Sequence, residues 1–308
     1  FGFDEEQFAR LRERVAAGTL SPETNVIRGR IEPPAEDDVT PLPAPGEPLY
    51  DEARAVGLEA VRRGEVAQVI LAGGMATRFG GVVKAVLEAV EGQSFLEVKV
   101  RQTRELERAL EASLPIALMT SFATDAAIRA HVAERGLGEV LVFHQFVSLR
   151  LERDGALFLG SDGRPSLYAP GHGDLFRAIR RSGVLETLRE RGVRVVTVSN
   201  VDNLGARVDP VVVGMHVLRG RPLTCEVARK EGDLGGAPVR VDGKLQLVEG
   251  PRFPPEFDQS RVPVFNTNTA LFALDALDRD YDLTWLYVEK EVEARVAVQL
   301  ERLYHEVS

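Results

Sequence analysis

Val66-Ala67-Gln68-Val69-Ile70-Leu71, followed by Ala72-Gly73-Gly74, is the stretch that decides the fold. The run is short, almost wholly apolar and closed by glycines. That pattern fits a strand covered on both faces, as strands of parallel sheets are. The flanks extend the pattern in both directions. Upstream, residues 51–63 read as a helix. Downstream, Leu96, Val100, Thr103, Leu106 and Leu110 form a helical stripe. Residues 115–119 are a second buried-strand candidate, followed by a helix over about 124–135 and a strand over 140–143. A helix over 174–191, interrupted near Gly183, leads to a strand over 193–198. Short apolar strands alternating with helices predict an α/β fold with a mostly parallel central sheet.

The rest of the chain is less regular. Residues 4–17 read as an amphipathic helix with Phe8, Leu11 and Val15 on one face. Residues 32–48 carry Pro33, Pro34, Pro41, Pro43, Pro45 and Pro48 and predict an extended arm without regular structure. The division expected is therefore an N-terminal helix and proline-rich arm over 1–50 and one catalytic-size α/β domain over 51–308. Asp209-Pro210 marks a helix start. Residues 223–227, 239–241, 245–248 and 269–272 read as strands, with Asp242-Gly243 as a hairpin turn.

Composition narrows the function classes. The 308 residues carry 38 Lys+Arg against 47 Asp+Glu, a net charge of −9. An acidic surplus argues against a general nucleic-acid binder but leaves room for a small basic pocket. One cysteine, Cys225, cannot form an internal disulfide, so a reducing, cytoplasmic setting is expected. No apolar run reaches the roughly 18 residues of a membrane span. The chain opens on Phe1 rather than Met, so the natural N-terminus is expected to lie upstream.

Four segments can carry chemistry. Leu71-Ala72-Gly73-Gly74-Met75-Ala76-Thr77-Arg78-Phe79-Gly80-Gly81-Val82-Val83-Lys84 follows the buried strand. Glycines there let backbone amides approach an anion, Arg78 offers a fork for phosphate oxygens, and Lys84 offers a compact charge. It is neither a Walker loop nor a dinucleotide fingerprint. A glycine-rich turn with two surface cations would look the same. Ser199-Asn200-Val201-Asp202-Asn203-Leu204-Gly205 ends a strand, where open α/β sheets place ligands. Its single carboxylate suits Mg²⁺, which takes one or two protein carboxylates plus substrate phosphates; an Asx turn is the alternative. Ala169-Pro170-Gly171-His172-Gly173-Asp174 is either a platform for a base or sugar, with His172 on a polar group, or a turn capped by Asp174. Phe265-Asn266-Thr267-Asn268-Thr269 can bind hydroxyls or form an Asx turn. No nucleophile elbow and no His-Glu-x-x-His zinc motif occurs, and Cys225 reads as a small buried hydrophobe.

Together these segments resemble the UTP–glucose-1-phosphate uridylyltransferase (UDP-sugar pyrophosphorylase) family. Residues 71–84 look like its Leu-x-Gly-Gly-x-Gly-Thr-Arg-x-Gly…Lys signature, and Phe143-His144-Gln145 its uracil-contacting segment. Residues 170–174 match its Pro-Gly-His-Gly-Asp loop and residues 200–205 its Asn-x-Asp-Asn-Leu-Gly motif. Val248-Glu249, residues 265–269 and Gln299-Leu300-Glu301 follow in family order. The resemblance implies a three-layer nucleotide-diphospho-sugar transferase fold, Rossmann-like, with a mixed but mostly parallel sheet. It implies UTP and glucose 1-phosphate as substrates, UDP-glucose and pyrophosphate as products, and Mg²⁺ as cofactor. Gly73, Gly74 and Arg78 would hold the triphosphate, and Lys84 would stabilise charge at phosphate. Asp202 would bind the metal, Asn200 would contact substrate, and Gln145 and Gly171 would read uracil. His172, Glu249, Asn266 and Asn268 would line the sugar side. Nucleic-acid and membrane partners are not expected.

Two departures qualify the match. Ala76 stands where the family usually has glycine, and nothing after Glu301 matches the family's Arg-Phe-x-Pro-x-Lys segment. The sequence is then either cut short or a compact variant. The rival readings are a UDP-N-acetylglucosamine pyrophosphorylase and a catalytically silent nucleotide-sugar-binding protein. The sequence leaves the oligomeric state open.

Overall fold

The strand Val66–Leu71, β1, is buried at all of its positions, as the apolar run predicts. A computed structural model describes residues 1–76, 81–232 and 235–308. The long helices α1 (Glu5–Ala16) and α2 (Pro48–Arg62) precede β1, with a single helical turn, Pro22–Asn25, between them. After it come α3 (Phe95–Leu110), β2 (Ile116–Thr120), α4 (Asp125–Glu134) and β3 (Leu141–His144). The chain continues through α5 (Leu175–Arg181), α6 (Val184–Glu190), β4 (Val195–Asn200) and α7 (Pro210–Arg219). Strands β5 (Leu223–Arg229), β6 (Ala237–Val241), β7 (Lys244–Val248) and β8 (Val264–Ala273) follow. A last hairpin joins β9 (Leu286–Val292) to β10 (Arg295–Glu301).

The central sheet has six strands in the order β5-β8-β4-β1-β2-β3. Strands β4, β1, β2 and β3 are parallel, and β8 is inserted antiparallel between β4 and β5. The sheet is thus mixed and mostly parallel. Its winding reverses between β1 and β4, and ligands of open α/β sheets bind outside the carboxyl ends of the strands at that switch point.

The alternation of a strand assigns β1 to three packing clusters. Ala67, Val69 and Leu71 face α5 and α6, packing with Phe176, Ile179, Leu185 and Leu188. Ile70 faces the other side, against Leu96 and Val100 of α3 and Ile128 of α4. Val66 meets Ala60 and Val61 of α2 and Val213 of α7. Each Val, Leu, Ile or Phe among them contributes about 1.5–3 kcal/mol on full burial. Gln68 tolerates burial because its Oε1 accepts from Thr103 Oγ1 at 2.6 Å.

The N-terminal segment corrects two expectations. Asp4, read as the first residue of the helix, is instead the cap of α1, accepting from Gln7 N at 3.0 Å. The arm is also not free of regular structure. Ile31–Glu32 pairs with β6, residues 36–38 form a 3₁₀ turn, and α2 starts at Pro48 rather than Asp51. The cause is long-range. Arg240 forks onto both carboxylate oxygens of Asp38 at 2.7 Å each, pinning the arm to the β6–β7 hairpin. No helix among the described residues is long and apolar enough to cross a membrane.

Candidate functional site

The loop after β1 is built around a close approach. A Cβ on Gly73 would lie 2.7 Å from Gln145 Oε1, so any larger residue there would push the Gln145 amide out of its present place. Ser121 Oγ donates to Gly73 O at 2.9 Å and holds the turn. Gln145 is buried, and its backbone N–H donates to Thr120 O. Beyond Gly74, Met75–Ala76 pairs antiparallel with Val82–Val83. This small hairpin returns the chain to Gly74, whose carbonyl accepts from Lys84 N at 3.3 Å. Arg78, the expected phosphate fork, lies outside the described residues.

The hairpin aims Lys84 at the end of β4. Its Nζ lies 2.9 Å from Asp202 Oδ2, with both side chains 37% exposed. A surface-type ion pair of this exposure adds little stability, so the fold does not explain its placement. Asp202 sits in a run of tight turns in which Asn203 N bonds Asn200 O and Ala206 N bonds Asn203 O. Asn203 Nδ2 ties this turn to β8 through Thr267 O and Thr269 Oγ1, both at 3.2 Å.

Strand β8 carries the polar amides. The sequence predicts only residues 269–272 as strand, but β8 begins at Val264. A bulge accommodates the polar segment: Glu226 faces Thr269 and the next residue, Val227, faces Asn266. Asn268 takes φ +56, a left-handed conformation that Asn tolerates better than most residues. Its Nδ2 donates to Asn200 Oδ1 at 2.9 Å, and its backbone N–H donates to Asn266 Oδ1 at 3.0 Å. Asn266 also hydrogen-bonds Glu249, and its backbone N–H donates to Gly236 O at 2.7 Å. Burial pushes the Glu249 carboxyl up. His305, with Nε2 2.8 Å from Oε1, and Asn266 outweigh that and hold it below its ordinary value.

The loop at residues 170–174 closes the ring. Gly171 has φ +97 and ψ 176, a conformation essentially restricted to glycine. His172 Nδ1 accepts from Tyr304 N at 3.2 Å, so the neutral ring carries its proton on Nε2. Burial drives the imidazole down to about 3, and the neighbouring His305 acts in the same direction. Tyr304 is itself buried and donates from its hydroxyl to Asn268 O at 2.9 Å. Of the two readings of this loop, the cap is not made, because the Asp174 side chain does not bond the following helix. It is fully buried, takes Arg302 Nη2 on Oδ1 at 2.7 Å and Phe146 N on Oδ2 at 3.0 Å. The loop is thereby fixed to the strand end that carries Gln145.

Contacts therefore join the expected residues along the carboxyl edge of β1 and β4. Gln145 meets Gly73, Lys84 meets Asp202, and Asn200 meets Asn268. From Asn268 the links run through Asn266 to Glu249, and through Tyr304 to His172. Gly236, Tyr304, His305 and the buried Lys99 were not indicated as site neighbours by the sequence. Lys99 alone had a local signal, a charge on the buried stripe beside Leu96, Val100 and Thr103. Cys225 packs against the core, and burial pushes its thiol up to about 12, which removes it as a nucleophile at neutral pH.

Comparison with known proteins gives the family and the fold. A family model described as UTP–glucose-1-phosphate uridylyltransferase matches residues 6–303. A probable UTP–glucose-1-phosphate uridylyltransferase of Schizosaccharomyces pombe is 32% identical over 79% of this chain and 51% of its own length. The enzyme of that name from Saccharomyces cerevisiae is 32% identical over 70% of this chain and 46% of its own. That of Hordeum vulgare is 30% identical over 96% and 67%. The chain thus spans about half the length of the two yeast relatives. Two solved structures share the fold. A uridine diphosphate N-acetylglucosamine pyrophosphorylase from Trypanosoma brucei has a TM-score of 0.80 at 21% identity, covering 99% of this chain and 67% of that one. A UDP-glucose pyrophosphorylase variant from Leishmania major, in complex with UDP-glucose, has a TM-score of 0.75 at 24% identity, covering 96% and 67%. With the model match running over nearly the whole sequence, the chain belongs to the UTP–glucose-1-phosphate uridylyltransferase family.

Proposed function

We propose that this protein transfers the uridylyl group of UTP to glucose 1-phosphate, releasing pyrophosphate. A phosphate oxygen of the sugar phosphate attacks the α-phosphorus of UTP, and the bond from that phosphorus to the oxygen bridging to the β-phosphorus breaks. No covalent enzyme intermediate is required. Such a transfer depends on holding the two substrates in line and offsetting their charge.

The observation that carries the reading is the Lys84–Asp202 pair at the sheet's switch point, bordered by Asn200 and Asn268. Gly73 and Gly74 would present backbone to the phosphates, with Arg78 a candidate from sequence alone. Lys84 would leave Asp202 for a phosphate oxygen when substrate arrives. Gln145 and Gly171 would read the uracil edge. Neutral His172 would donate from Nε2 to a phosphate or sugar oxygen, and Glu249, Asn266 and Asn268 would accept from and donate to sugar hydroxyls.

A single exposed carboxylate already facing an ammonium fits a Mg²⁺ that fills its other positions with water and substrate oxygens. It does not fit a caged ion, and the described residues contain no cluster of three metal-ligating side chains. Asp202 would hold the ion, which when bound supplies positive charge to the phosphates. Glucose is favoured over N-acetylglucosamine by the names of the relatives at 30–32% identity. The lone Cys225 supports a cytoplasmic setting. Pyrophosphate release with a panel of sugar 1-phosphates tests the assignment.

A further inference from the structure

Lys99 is fully buried in the second turn of α3. Its Nζ donates to Ser199 Oγ at 2.7 Å, Asn203 O at 3.0 Å and Ala206 O at 2.6 Å. All three ammonium donors are satisfied. Among the described residues, no carboxylate lies within ion-pair distance of it. A buried ammonium held only by neutral oxygens is costly, and an apolar side chain of equal length would suit a core better. The three acceptors have one thing in common. They bracket Asp202, with Ser199 before it on β4, Asn203 next to it and Ala206 at the end of the turn.

We propose that Lys99 is a positioning residue that anchors the turn from Ser199 to Ala206 and so fixes where Asp202 presents its carboxylate. The proposal rests on the reading of Asp202 given above. Lys99 does not touch that carboxylate, which faces Lys84 on the open side. It holds the backbone from beneath, as outer partners of a metal ligand do. Burial lowers the ammonium to about 8, with Asp202 and Glu226 opposing the fall, so it remains a cation at neutral pH.

The test compares wild type with Lys99→Met, Asp202→Asn and the double variant, in Mg²⁺ with UTP and glucose 1-phosphate. Amide hydrogen exchange is followed in parallel without substrate or metal. Loss of such an outer partner typically reduces activity 10–100-fold. Lys99→Met is expected to keep its circular dichroism, lose about that much kcat and change KM for UTP less than about threefold. Exchange over 200–206 should rise at least about tenfold while β1 and β2 stay protected. In the Asp202→Asn background, Lys99→Met should add less than about threefold, because the two act through one group. Near-normal kcat and exchange in Lys99→Met would overturn the proposal, as would losses that multiply in the double variant. If Asp202→Asn turns over normally, or wild type does not turn over, the reading of Asp202 or of the reaction has failed. The exchange measurement then decides the anchoring role alone. Should Lys99→Met not fold, Ser199→Ala removes one acceptor and leaves Lys99 in place. It is expected to lose about 3–10-fold in kcat with raised exchange over 200–206, and no change in either would overturn the proposal.

Discussion

Replacing Lys84 by alanine separates a catalytic cation from a solvated one. Among the described residues Lys84 has one ionic partner, Asp202 at 2.9 Å, and both side chains are 37% exposed. Exposed pairs are worth about 0.2–1 kcal/mol, so Lys84→Ala should lower stability by no more than that. Its expected effect on rate is larger. A unit charge about 3 Å from a phosphoryl oxygen interacts by about 5.5 kcal/mol at an effective dielectric of about 20. Part of that is already felt by bound UTP. The differential part, acting as charge moves onto the departing pyrophosphate, is comparable to an oxyanion donor at about 3–4 kcal/mol. Lys84→Ala should therefore lose about 10²–10³ in kcat, with a smaller change in UTP affinity. Lys84→Arg should recover only part, because a planar fork does not replace a point charge at close quarters. The assay is initial-rate pyrophosphate release at saturating UTP and glucose 1-phosphate, beside calorimetric UTP binding. A Lys84→Ala variant with kcat within about threefold of wild type would show that Lys84 is a solvated cation with no part in the transfer.

Other perturbations probe the rest of the site. Asp202→Asn should stay folded and lose most of its turnover, and wild type should do the same in excess chelator; equal rates in either case count against a metal at Asp202. UTP should exceed ATP and GTP in kcat/KM by at least about 10², since a site built to pair with one base edge leaves polar groups unpaired with another; comparable values for UTP and ATP would remove Gln145 and Gly171 from base reading. His172 titrates near 3 when folded and near 6.5 when unfolded. The unfolded chain thus binds the extra proton between those values, and stability falls as pH drops below about 6.5, by up to about 1.4 kcal/mol per pH unit. Urea midpoints at pH 6.5 and 5.5 should show this slope in wild type and a flatter one in His172→Gln; identical slopes would place the imidazole in water.

The sequence carried the sheet well because its strands are buried on both faces. Val66–Leu71 needs no tertiary information to be read as such a strand. Glycine and Asx positions just at or after strand ends were legible from their residue types, and these include Gly73, Asn200 and Asp202. The illegible parts depend on distant partners. The arm looked structureless because Asp38 meets Arg240 some 200 residues away. The length of β8 was missed because a bulge hides its polar half from the period-two pattern. The β9–β10 hairpin turns at Glu293 and Ala294, both at positive φ, where the usual Asn-Gly signal is missing. His305 and Tyr304 reach Glu249 and His172 only after the chain has folded back from β10.

Uridylyl transfer to glucose 1-phosphate is tested by turnover of this chain with UTP, Mg²⁺ and a panel of sugar 1-phosphates. UDP-sugar and pyrophosphate are quantified together, with calorimetry of UDP-glucose binding alongside. The account predicts stoichiometric UDP-glucose and pyrophosphate, with kcat/KM for glucose 1-phosphate at least about tenfold above that for N-acetylglucosamine 1-phosphate. A preference for the N-acetylated sugar, or UDP-glucose binding heat without any pyrophosphate release, would contradict it.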